Sequence, residues 1–370
     1  MYFIDRLDIY QDHTIGGLPV VGKELIARYD LTSTDTNPTR VTNNPMPLDG
    51  SYSTSLRVRC DGRRVSIEGN PSRWQRIDNL FGFSSIDECI QVYNIELQKL
   101  GLPPFTKATD TFYSYAKKEK ENKLITNGAK FRRIDITRNL SVGKDNERHF
   151  LRGLSSQRIG KGIMPHLFPN GNTLSWKTCS WINELYIKAE EMRLSRNNKL
   201  IKKLNIKEVE YRNKIITYCD DIGLVRDEKQ FKQPFLNRNN LCFYGLVDEN
   251  DYLKYLTDID DMLNKIEIST MDYENISDIL ISKKICKTTQ SANSTQSILF
   301  SWLYNKPIKK TSMYYVHKAR LLKLGIDISV PHDVTKLMPQ LRSQKEITVN
   351  IAQPPDWYQM PSINNLKVVP

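Results

Sequence analysis

The stretch from Glu184 to Glu191, ELYIKAEE, combines strand-forming residues with a tyrosine, a lysine and adjacent carboxylates. Tyrosine and isoleucine favour strands, and side chains alternate along a strand, so Tyr186, Lys188 and Glu190 would share one face. A tyrosine nucleophile, metal-holding carboxylates and a nearby cation are the groups that break a phosphodiester through a covalent phosphotyrosine. By itself the stretch is also typical of an ordinary amphipathic strand, so the rest of the chain has to decide between these interpretations.

The composition indicates a folded chain that can fill a hydrophobic core. The chain has 370 residues, 39% of them hydrophobic, and a mean hydropathy of −0.51. This length is enough for two or three domains, or for one large core with an appendage. No run of 18 apolar residues is present, so we expect no membrane span. The N-terminal residues 1–8 lack the basic region and apolar core of a signal peptide, and they are typical of a first strand.

The charge balance is strongly basic. Lysine and arginine outnumber aspartate and glutamate by 54 to 42, which gives a formal net charge of +12 and a pI of about 9.2. Such a field attracts polyanions, with nucleic acid first and anionic membranes second. No long basic amphipathic helix or lipidation signal favours a membrane. Many basic proteins bind nothing acidic, but the charge predicts nucleic acid as the partner.

The six cysteines and five histidines are dispersed along the chain. Without a CxxC pair, neither a zinc ribbon nor a disulfide framework is indicated, and reduced thiols are the simple expectation. No two histidines have the spacing of a local zinc motif such as HExxH. Any metal is therefore expected on oxygen ligands, which favours Mg²⁺ or Mn²⁺.

The first 245 residues mix strand and helix patterns. Two helices are predicted, at Ser84–Leu100, where serine caps precede apolar residues at 4-3-4-3 spacing, and at Ile206–Ile222. Three segments are expected to be irregular: a long loop at 32–52, a polar loop or frayed helix at 117–130, and irregular chain at 140–170. The predicted strands are Tyr2–Tyr10, Ser55–Cys60, Arg63–Glu68, Phe131–Arg138, two within 172–191, and Leu224–Lys232.

From about residue 246 the patterns become helical. Helices are predicted at 251–266, 291–304 and 312–324, and a short strand at Ile347–Ile351 precedes a Pro-rich tail. We therefore predict an α+β fold with a mixed unit at 1–245, a helical C-terminal unit at 246–345, and a closing strand and tail at 346–370.

Two further strand patterns carry acidic residues. Asp135 lies between isoleucines in RRIDIT (132–137), although aspartate is disfavoured inside strands. It is either a functional carboxylate or one half of an edge-strand salt bridge with a neighbouring arginine. VRDEKQFK (225–232) contains Asp227 and Glu228. If these acids have no role in catalysis, the segment is a solvated charged strand or helix end. Carboxylates that converge from separate strands beside Tyr186 would suit one hard cation.

Six motifs occur in order along the chain: FIDRLDIY (3–10), EGNPSR (68–73) with DNLFG (78–82), RIDIT (133–137), YIKAEE (186–191), VRDE (225–228) and PDWY (355–358). Together they resemble the gene II/X replication initiators of filamentous phages and related plasmids, over nearly the whole chain. Two positions depart from that pattern. SW (180–181) stands where relatives often have S-R, and Asp227 stands where an aromatic residue is usual. The acidic register therefore stays open between Glu190 and Glu191, and between Asp227 and Glu228.

The resemblance implies an antiparallel-sheet catalytic domain of the rolling-circle initiator type at 1–245. Such an initiator nicks the viral strand at the plus origin through tyrosine attack. It thereby forms a 5′-phosphotyrosyl link and frees a 3′-OH for host polymerase, and it later rejoins the displaced strand into a circle. By position in the motifs, Tyr186 is the nucleophile and Lys188 neutralises phosphate charge. The metal and Lys188 together would favour the phenolate of Tyr186.

The same resemblance implies the remaining site residues. The metal, Mg²⁺ or Mn²⁺, would be held by Asp135, Glu191 and Glu228, with Glu190 and Asp227 as the register alternatives. The residues expected to contact DNA are Lys130, Arg132, Arg133 and Arg226.

The implied partners are double-stranded phage or plasmid origin DNA, the displaced single strand, and a host helicase and polymerase. The implied location is the cytoplasm of the bacterial host, with no membrane contact; oligomerisation on DNA stays open. A non-catalytic DNA-binding replication or transcription regulator is the main alternative, with Tyr315, Arg320 and Lys323 on a recognition helix unless that helix belongs to the core. A regulator has no need of Tyr186 and three acids. A metal-dependent nuclease that uses water is a third interpretation, which a covalent DNA adduct would exclude.

Overall fold

A computed structural model describes residues 1–29, 32, 37–116, 121–160, 162–194, 204–269, 276–330 and 347–363. Its strands are β1 (Tyr2–Asp12), β2 (Val20–Val21), β3 (Glu24–Arg28), β4 (Arg40–Asn44), β5 (Met46–Asp49), β6 (Ser55–Asp61), β7 (Arg64–Gly69), β8 (Thr111–Ala116), β9 (Glu121–Thr126), β10 (Lys130–Ser141), β11 (Pro165–Leu167), β12 (Thr173–Lys177), β13 (Trp181–Ile187), β14 (Leu224–Lys232) and β15 (Asn350–Ile351).

The helices of the described residues are mostly short. They are α1 (Ile86–Lys99), α2 (Glu147–Leu154), α3 (Lys188–Arg193), α4 (Ile206–Ile222), α5 (Gln233–Arg238), α6 (Glu249–Leu253), α7 (Asp258–Ser269), α8 (Ile276–Ser282), α9 (Thr289–Leu303) and α10 (Ser312–Leu322). In the part of the chain that the structure describes, no helix has the length and apolar character needed to cross a membrane.

An eleven-stranded antiparallel sheet organises the described residues. Its strand order is β11-β12-β13-β14-β10-β1-β7-β6-β2, with β15 beside β10 and β5 beside β6. Two separate hairpins, β3–β4 and β8–β9, lie outside it. Strands that are distant in sequence, β13, β14, β10 and β1, become neighbours, so their side chains can form a common site.

One face of the sheet, here called the helix face, is covered by α1 and by later helices. Leu7 and Ile134 belong to the same buried cluster as Tyr93 of α1 and Tyr252 of α6. The hydroxyl of Tyr93 donates to the carbonyl of Leu7 at 2.8 Å, which anchors α1 on the sheet. Ser85 caps α1 by accepting from the amide of Asp87. This hydrophobic face holds the central strands in register.

The opposite face, here called the cleft face, carries Tyr186 and Glu228 and is covered only in part. Helix α4 packs there, with Ile215 and Cys219 in one cluster with Phe3 of β1 and Tyr358 of the C-terminal segment. A capping box begins α4 at Asn205, and Gly223 ends it with φ of 59°. A Cβ on Gly223 would lie 2.0 Å from the carbonyl oxygen of Gly143, so this close approach requires glycine.

The C-terminal helices divide between two cores. Helices α8, α9 and α10 form a cluster of their own that includes Ile276, Leu299 and Leu321. By contrast, Leu256 packs with the main sheet core, and Met262 of α7 packs beside β13. The boundary at 245–246 stays a prediction, although α6 and α7 share their hydrophobic contacts with the sheet. In α10, Leu321 is buried, as expected of a core helix.

The α+β class predicted from the sequence is confirmed, and the strongest strand and helix patterns form close to their predicted bounds. Other predictions are wrong. The segment 32–52 contains β4 and β5, 117–130 contains β9 (residues 117–120 lie outside the described ones), and 140–170 contains α2 and β11. The predicted helix 251–266 is two helices, α6 and α7. These short elements form through tertiary pairing, as between β5 and β6, which local propensity does not reveal.

Candidate active site

Four neighbouring strands place the central site residues on the cleft face. In the sheet, Tyr186 of β13 is opposite Arg226 of β14, and Glu228 is opposite Thr137 of β10. Paired residues point to the same side of a sheet, and so do alternate residues of one strand. Tyr186, Glu228 and Asp135 therefore share the cleft face, although they lie on three different strands.

Tyr186 is half-buried in the wall of a cleft of about 730 Å³. Its hydroxyl donates to Oε2 of Glu228 at 3.3 Å. Burial raises the pKa of Tyr186 well above its ordinary value, Arg226 opposes this rise, and the negative charge of Glu228 adds to it. In the chain by itself the side chain is therefore a protonated phenol that points at the carboxyl group of Glu228.

Lys188 reaches the same site from a helix. Strand β13 ends at Ile187 and α3 begins at Lys188, so the prediction of one strand face shared by Tyr186, Lys188 and Glu190 is wrong. The residues KAEEMR favour a helix, and the acidic pair in the first turn suits the positive end of the helix dipole. The Nζ atom of Lys188 nevertheless lies 5.9 Å from the ring centre of Tyr186.

The ammonium group of Lys188 is buried and held by two partners. Its Nζ donates to Oδ1 of Asn79 at 2.9 Å and to Oε2 of Glu191 at 3.0 Å. Burial lowers the pKa of Lys188, Arg226 lowers it further, and Glu191 raises it. The lysine is thus fixed beside the tyrosine ring instead of extending into solvent.

A bulge in β1 adds a carboxylate that the sequence reasoning missed. The register shifts between Ile4 and Arg6, so Asp5 is the extra residue. Its Oδ1 accepts from Asn79 at 2.7 Å and from Asn70 at 3.1 Å, and it lies 3.7 Å from Nη1 of Arg226. The motif strand FIDRLDIY contained a signal, since its aspartate is flanked by strand-forming residues, but the bulge itself has no sequence signature.

Asp135 and Glu228 are buried acids, and the pKa of each is raised. Burial raises the pKa of Asp135 to about 7, against the lowering effect of Arg133, which binds both carboxylate oxygens at 2.7 and 2.6 Å. Burial likewise raises the pKa of Glu228 to about 8, and the neighbouring Asp5 and Asp135 raise it further. The salt bridge considered for Asp135 is therefore present, in a position that also faces the other acids.

This donor set limits how a divalent cation would bind. In the described parts of the chain, no three side chains of the His, Cys, Asp and Glu types are grouped as a metal site. Magnesium is commonly held by only one or two carboxylates together with water and substrate phosphate oxygens. Asp135 and Glu228 would suit that mode, because a cation would relieve the repulsion by which Asp135 raises the pKa of Glu228.

The structure separates the register alternatives. Asp227 lies on the helix face, where its Oδ2 accepts from Nε of Arg138 at 2.8 Å and its Oδ1 from Asn183 at 2.8 Å. Glu228, and not Asp227, is thus brought to Tyr186. Both Glu190 and Glu191 line the cleft, but Glu191 contacts Lys188 whereas Glu190 contacts Arg193.

The predicted DNA-contacting residues have different positions. Arg226 is completely buried, and its guanidinium donates to the carbonyls of Asn79 and Leu80, so it is not a surface contact. Lys130 is half-buried with its Nζ over the ring of Phe243. Arg133 is held by Asp135, and Arg132 lies over the ring of Tyr10, farther along the sheet.

The cleft contains two donors whose hydrogen bonds are incomplete. Among the described residues, Nη1 of Arg226 and Nε of Arg73 are buried and have no hydrogen-bond partner. Arg73 lines the cleft, and Arg226 is the cross-strand neighbour of Tyr186 in β14. A phosphate in the cleft would meet positive charge from both arginines and from Lys188.

The fold and the site define a basic α+β protein with a tyrosine, a lysine and several carboxylates in one cleft. Two family descriptions match the chain: the N-terminal part of the replication-associated gene II protein over residues 30–255, and its C-terminal part over residues 280–364. The chain is also 35% identical over 317 residues to the replication-associated gene II protein of Escherichia phage If1, which covers 83% of this chain and 98% of that protein. It therefore belongs to the gene II family of phage replication-associated proteins. The resemblance to the gene II/X family is thereby confirmed.

Proposed function

We propose that this chain is a rolling-circle initiator that nicks one strand of origin DNA through Tyr186 and later rejoins the displaced strand. The observation that carries the proposal is the hydroxyl of Tyr186 in the cleft wall, 3.3 Å from Glu228 and beside two buried cations. Membership of a replication-associated family supports a role on phage DNA. A structural tyrosine would need neither the carboxylate nor the cations.

In the nicking step, the phenolic oxygen of Tyr186 attacks the scissile phosphorus. A bond forms between that oxygen and phosphorus, and the bond from phosphorus to the 3′ oxygen breaks. The phenolic proton passes to Oε2 of Glu228, which must be ionised to accept it, and the leaving 3′ oxygen takes a proton from water to become a 3′-OH. In the joining step, a 3′-OH attacks the phosphorus of the 5′-phosphotyrosyl link. The bond from the 3′ oxygen to phosphorus forms as that oxygen loses its proton to water, the bond from phosphorus to the tyrosyl oxygen breaks, and Glu228 returns the proton that restores Tyr186.

The fixed charges of the cleft stabilise the charge that develops during attack more than they stabilise a free phenolate of Tyr186. The raised pKa of Tyr186 keeps the resting hydroxyl protonated, so proton transfer must accompany attack. Lys188 and Arg226 provide positive charge at fixed positions, where charge develops on the phosphoryl oxygens. Because both cations are buried, they require no reorganisation during the reaction.

A divalent cation, Mg²⁺ or Mn²⁺, is part of the proposal. Asp135 and Glu228 would hold it, with Asp5 added and with Glu191 as the further ligand implied by the family motif. Such a cation supplies Lewis-acid polarisation of the phosphate and makes the phenol easier to ionise.

The partners follow from the reaction. They are the double-stranded phage or plasmid origin, the displaced single strand, a host helicase that separates the strands, and the host polymerase that extends the 3′-OH. The place of action is the cytoplasm of the bacterial host. The net charge of +12 supports binding to a polyanion.

The experiment is incubation with supercoiled phage origin DNA and Mg²⁺, followed by a denaturing gel. We expect nicked circles in which the protein stays attached to the 5′ end after denaturation. Nicked DNA without attached protein would indicate a nuclease that uses water. Binding without any nick would indicate a non-catalytic regulator. Omission of Mg²⁺, with Mn²⁺ as a replacement, tests the cation in the same assay.

A further inference from the structure

A second basic feature lies on the cleft face, at the opposite end of the central strands from Tyr186. Arg64 of β7 and Arg132 of β10 place their guanidinium carbons 4.7 and 4.6 Å from the ring centre of Tyr10 in β1. Arg59 of β6 is opposite Ser66, the residue that pairs with Tyr10, so it belongs to the same face. We call Arg59, Arg64 and Arg132 the arginine cluster.

Among the described residues, one of the three arginines in the cluster forms an ion pair, and Asp61 and Glu68 act on the other two from outside ion-pair distance. Arg64 forms an ion pair with Asp12. Within the described ranges, Arg59 and Arg132 have no hydrogen-bonded or ion-paired acid. Burial lowers the pKa of Arg132, and the neighbouring charges of Arg64 and Arg59 lower it further. Like charges that are held together in this way are relieved by an anion.

The geometry of the cluster suits a phosphate more than a base. A guanidinium group stacked on a tyrosine ring loses little freedom when it binds, and its N–H edges stay available. Those edges match the oxygens of a phosphate. The three arginines are half-buried, so they are fixed but still reach solvent.

The distance from the cluster to the reaction site defines the length of DNA between them. Phe3 of β1 is opposite Thr137, which in turn is opposite Glu228, the partner of Tyr186. Tyr10 lies seven residues farther along β1. With about 3.3 Å per residue along a strand and about 4.8 Å between strands, the cluster is roughly 25–30 Å from the hydroxyl of Tyr186. A single strand bound at both places must therefore span roughly 25–30 Å between the two phosphates.

We propose that the arginine cluster binds a backbone phosphate of single-stranded DNA, roughly 25–30 Å from the phosphate at Tyr186. The occupant is a single strand because the tyrosine lies inside a cleft, where a phosphodiester arrives only after its strand has left the duplex. The position of the reacting phosphate rests on the proposed function, whereas phosphate binding by the cluster does not.

The test compares two double variants with equal loss of charge. Arg59→Gln with Arg132→Gln removes the two unpaired arginines of the cluster. Arg152→Gln with Arg238→Gln is the control, because both residues are exposed and lie on α2 and α5, which pack on the helix face. Both variants are made in a Tyr186→Phe chain, so that no covalent product forms. Thermal unfolding close to that of the parent chain verifies that each is folded.

The probes are fluorescent oligothymidylates of 4 to 16 nucleotides and a 16-base-pair duplex, at several salt concentrations. In the parent chain we expect affinity to rise steeply once a strand is long enough to span the roughly 25–30 Å between the cluster and Tyr186. The cluster variant should lose that rise. Its salt slope on the 16-mer should fall by about 0.7, since the cluster contacts one phosphate and each single-strand phosphate contact contributes about 0.7. The control variant should keep both the rise of affinity with strand length and the salt slope of the parent chain.

Three outcomes would overturn the proposal: an unchanged slope in the cluster variant, an equal change in the control, or a loss confined to the duplex. A failure of the proposed function is detected separately, because the nicking assay uses the native chain and a covalent product. If the cluster variant shows the reduced salt slope while the native chain forms no covalent DNA adduct, the result supports the phosphate site and excludes the proposed tyrosine chemistry.

Discussion

Asp227 and Glu228 are adjacent in the chain, and their side chains lie on opposite faces of β14. Glu228 accepts the hydroxyl of Tyr186, whereas Asp227 accepts from Arg138 and Asn183 on the helix face. Arg138 also bonds Asp260 of α7, so Asp227 belongs to a network that ties α7 to the sheet. Glu228 therefore belongs to the cleft, whereas Asp227 stabilises the packing of α7 on the sheet.

This relationship predicts different effects for two similar substitutions. Glu228→Gln should reduce nicking by about 10²–10⁴-fold with little change in stability, because the amide is a poor proton acceptor of nearly the same size. Asp227→Asn should lower the free energy of unfolding by about 1–3 kcal/mol, because Arg138 loses a buried charged partner. Nicking rates and urea unfolding of both variants measure this. Equal loss of nicking in the two would contradict the assignment by faces.

Tyr186→Phe should abolish nicking and joining and leave DNA binding nearly intact, because only the hydroxyl is needed for attack and the ring keeps its packing. The assay measures protein-linked nicks on supercoiled origin DNA, and filter binding measures affinity. Tyr211→Phe and Tyr218→Phe are the controls, since these tyrosines pack against Trp357 away from the carboxylates. Appreciable nicking by the Tyr186 variant would shift the role of nucleophile to another tyrosine.

Asp135→Asn should raise the concentration of Mg²⁺ that half-maximal nicking requires and lower the rate by orders of magnitude, since a neutral amide is a weaker ligand for a hard cation. The fold should persist, because the change is nearly isosteric and Arg133 remains half-buried beside it. A magnesium titration of the nicking rate provides the measurement. Native activity at limiting Mg²⁺ would leave only the ion pair with Arg133 as the function of Asp135.

Tyr358→Phe should weaken both stability and nicking, although residue 358 lies outside the cleft. Its hydroxyl donates to Oδ1 of Asp78 at 2.5 Å and accepts from the amide of Phe81 at 3.0 Å. That loop also carries Asn79, which bonds Asp5 and Lys188. We expect a loss of about 1–3 kcal/mol in the free energy of unfolding.

The nicking defect of the Tyr358 variant should exceed what its unfolded fraction explains. Tyr315→Phe is the matched control, because Tyr315 is exposed on α10. Full activity of the folded Tyr358 variant would show that Asn79 keeps its position without this anchor.

His317 should make stability depend on pH in the acidic range. It is buried beside Thr295, and burial with the nearby charge of Arg320 lowers its pKa below the unfolded value of about 6.5. The unfolded chain therefore binds a proton more readily, so stability is fully present above about pH 6.5 and declines as pH falls toward the folded pKa. Denaturant unfolding between pH 7 and pH 5 measures this, and His317→Gln should flatten that decline. His166→Gln, at an exposed position, should leave the decline unchanged. Equal effects of the two substitutions would show that His317 is not the cause of the decline.

Local sequence determined much of the framework. The alternation in Tyr2–Tyr10 and Leu224–Lys232, and the capped, periodic segment after Ser84, produce β1, β14 and α1 because side-chain spacing and caps act within a few residues. The motif around Tyr186 likewise identified the family. These features depend on neighbours in sequence, so they can be recognised without knowledge of the fold.

Tertiary structure decided which side chains meet. Strand pairing selected Glu228 over Asp227 for the cleft, and a one-residue bulge brought in Asp5, because register and bulges depend on a partner strand that local sequence does not specify. The same pairing placed the buried Arg226 beside Tyr186 and set Arg132 beside Tyr10 at the far end of the sheet. The sequence determined the elements and their chemistry, and the fold determined which residues share a face, since that depends on contacts between segments far apart in the chain.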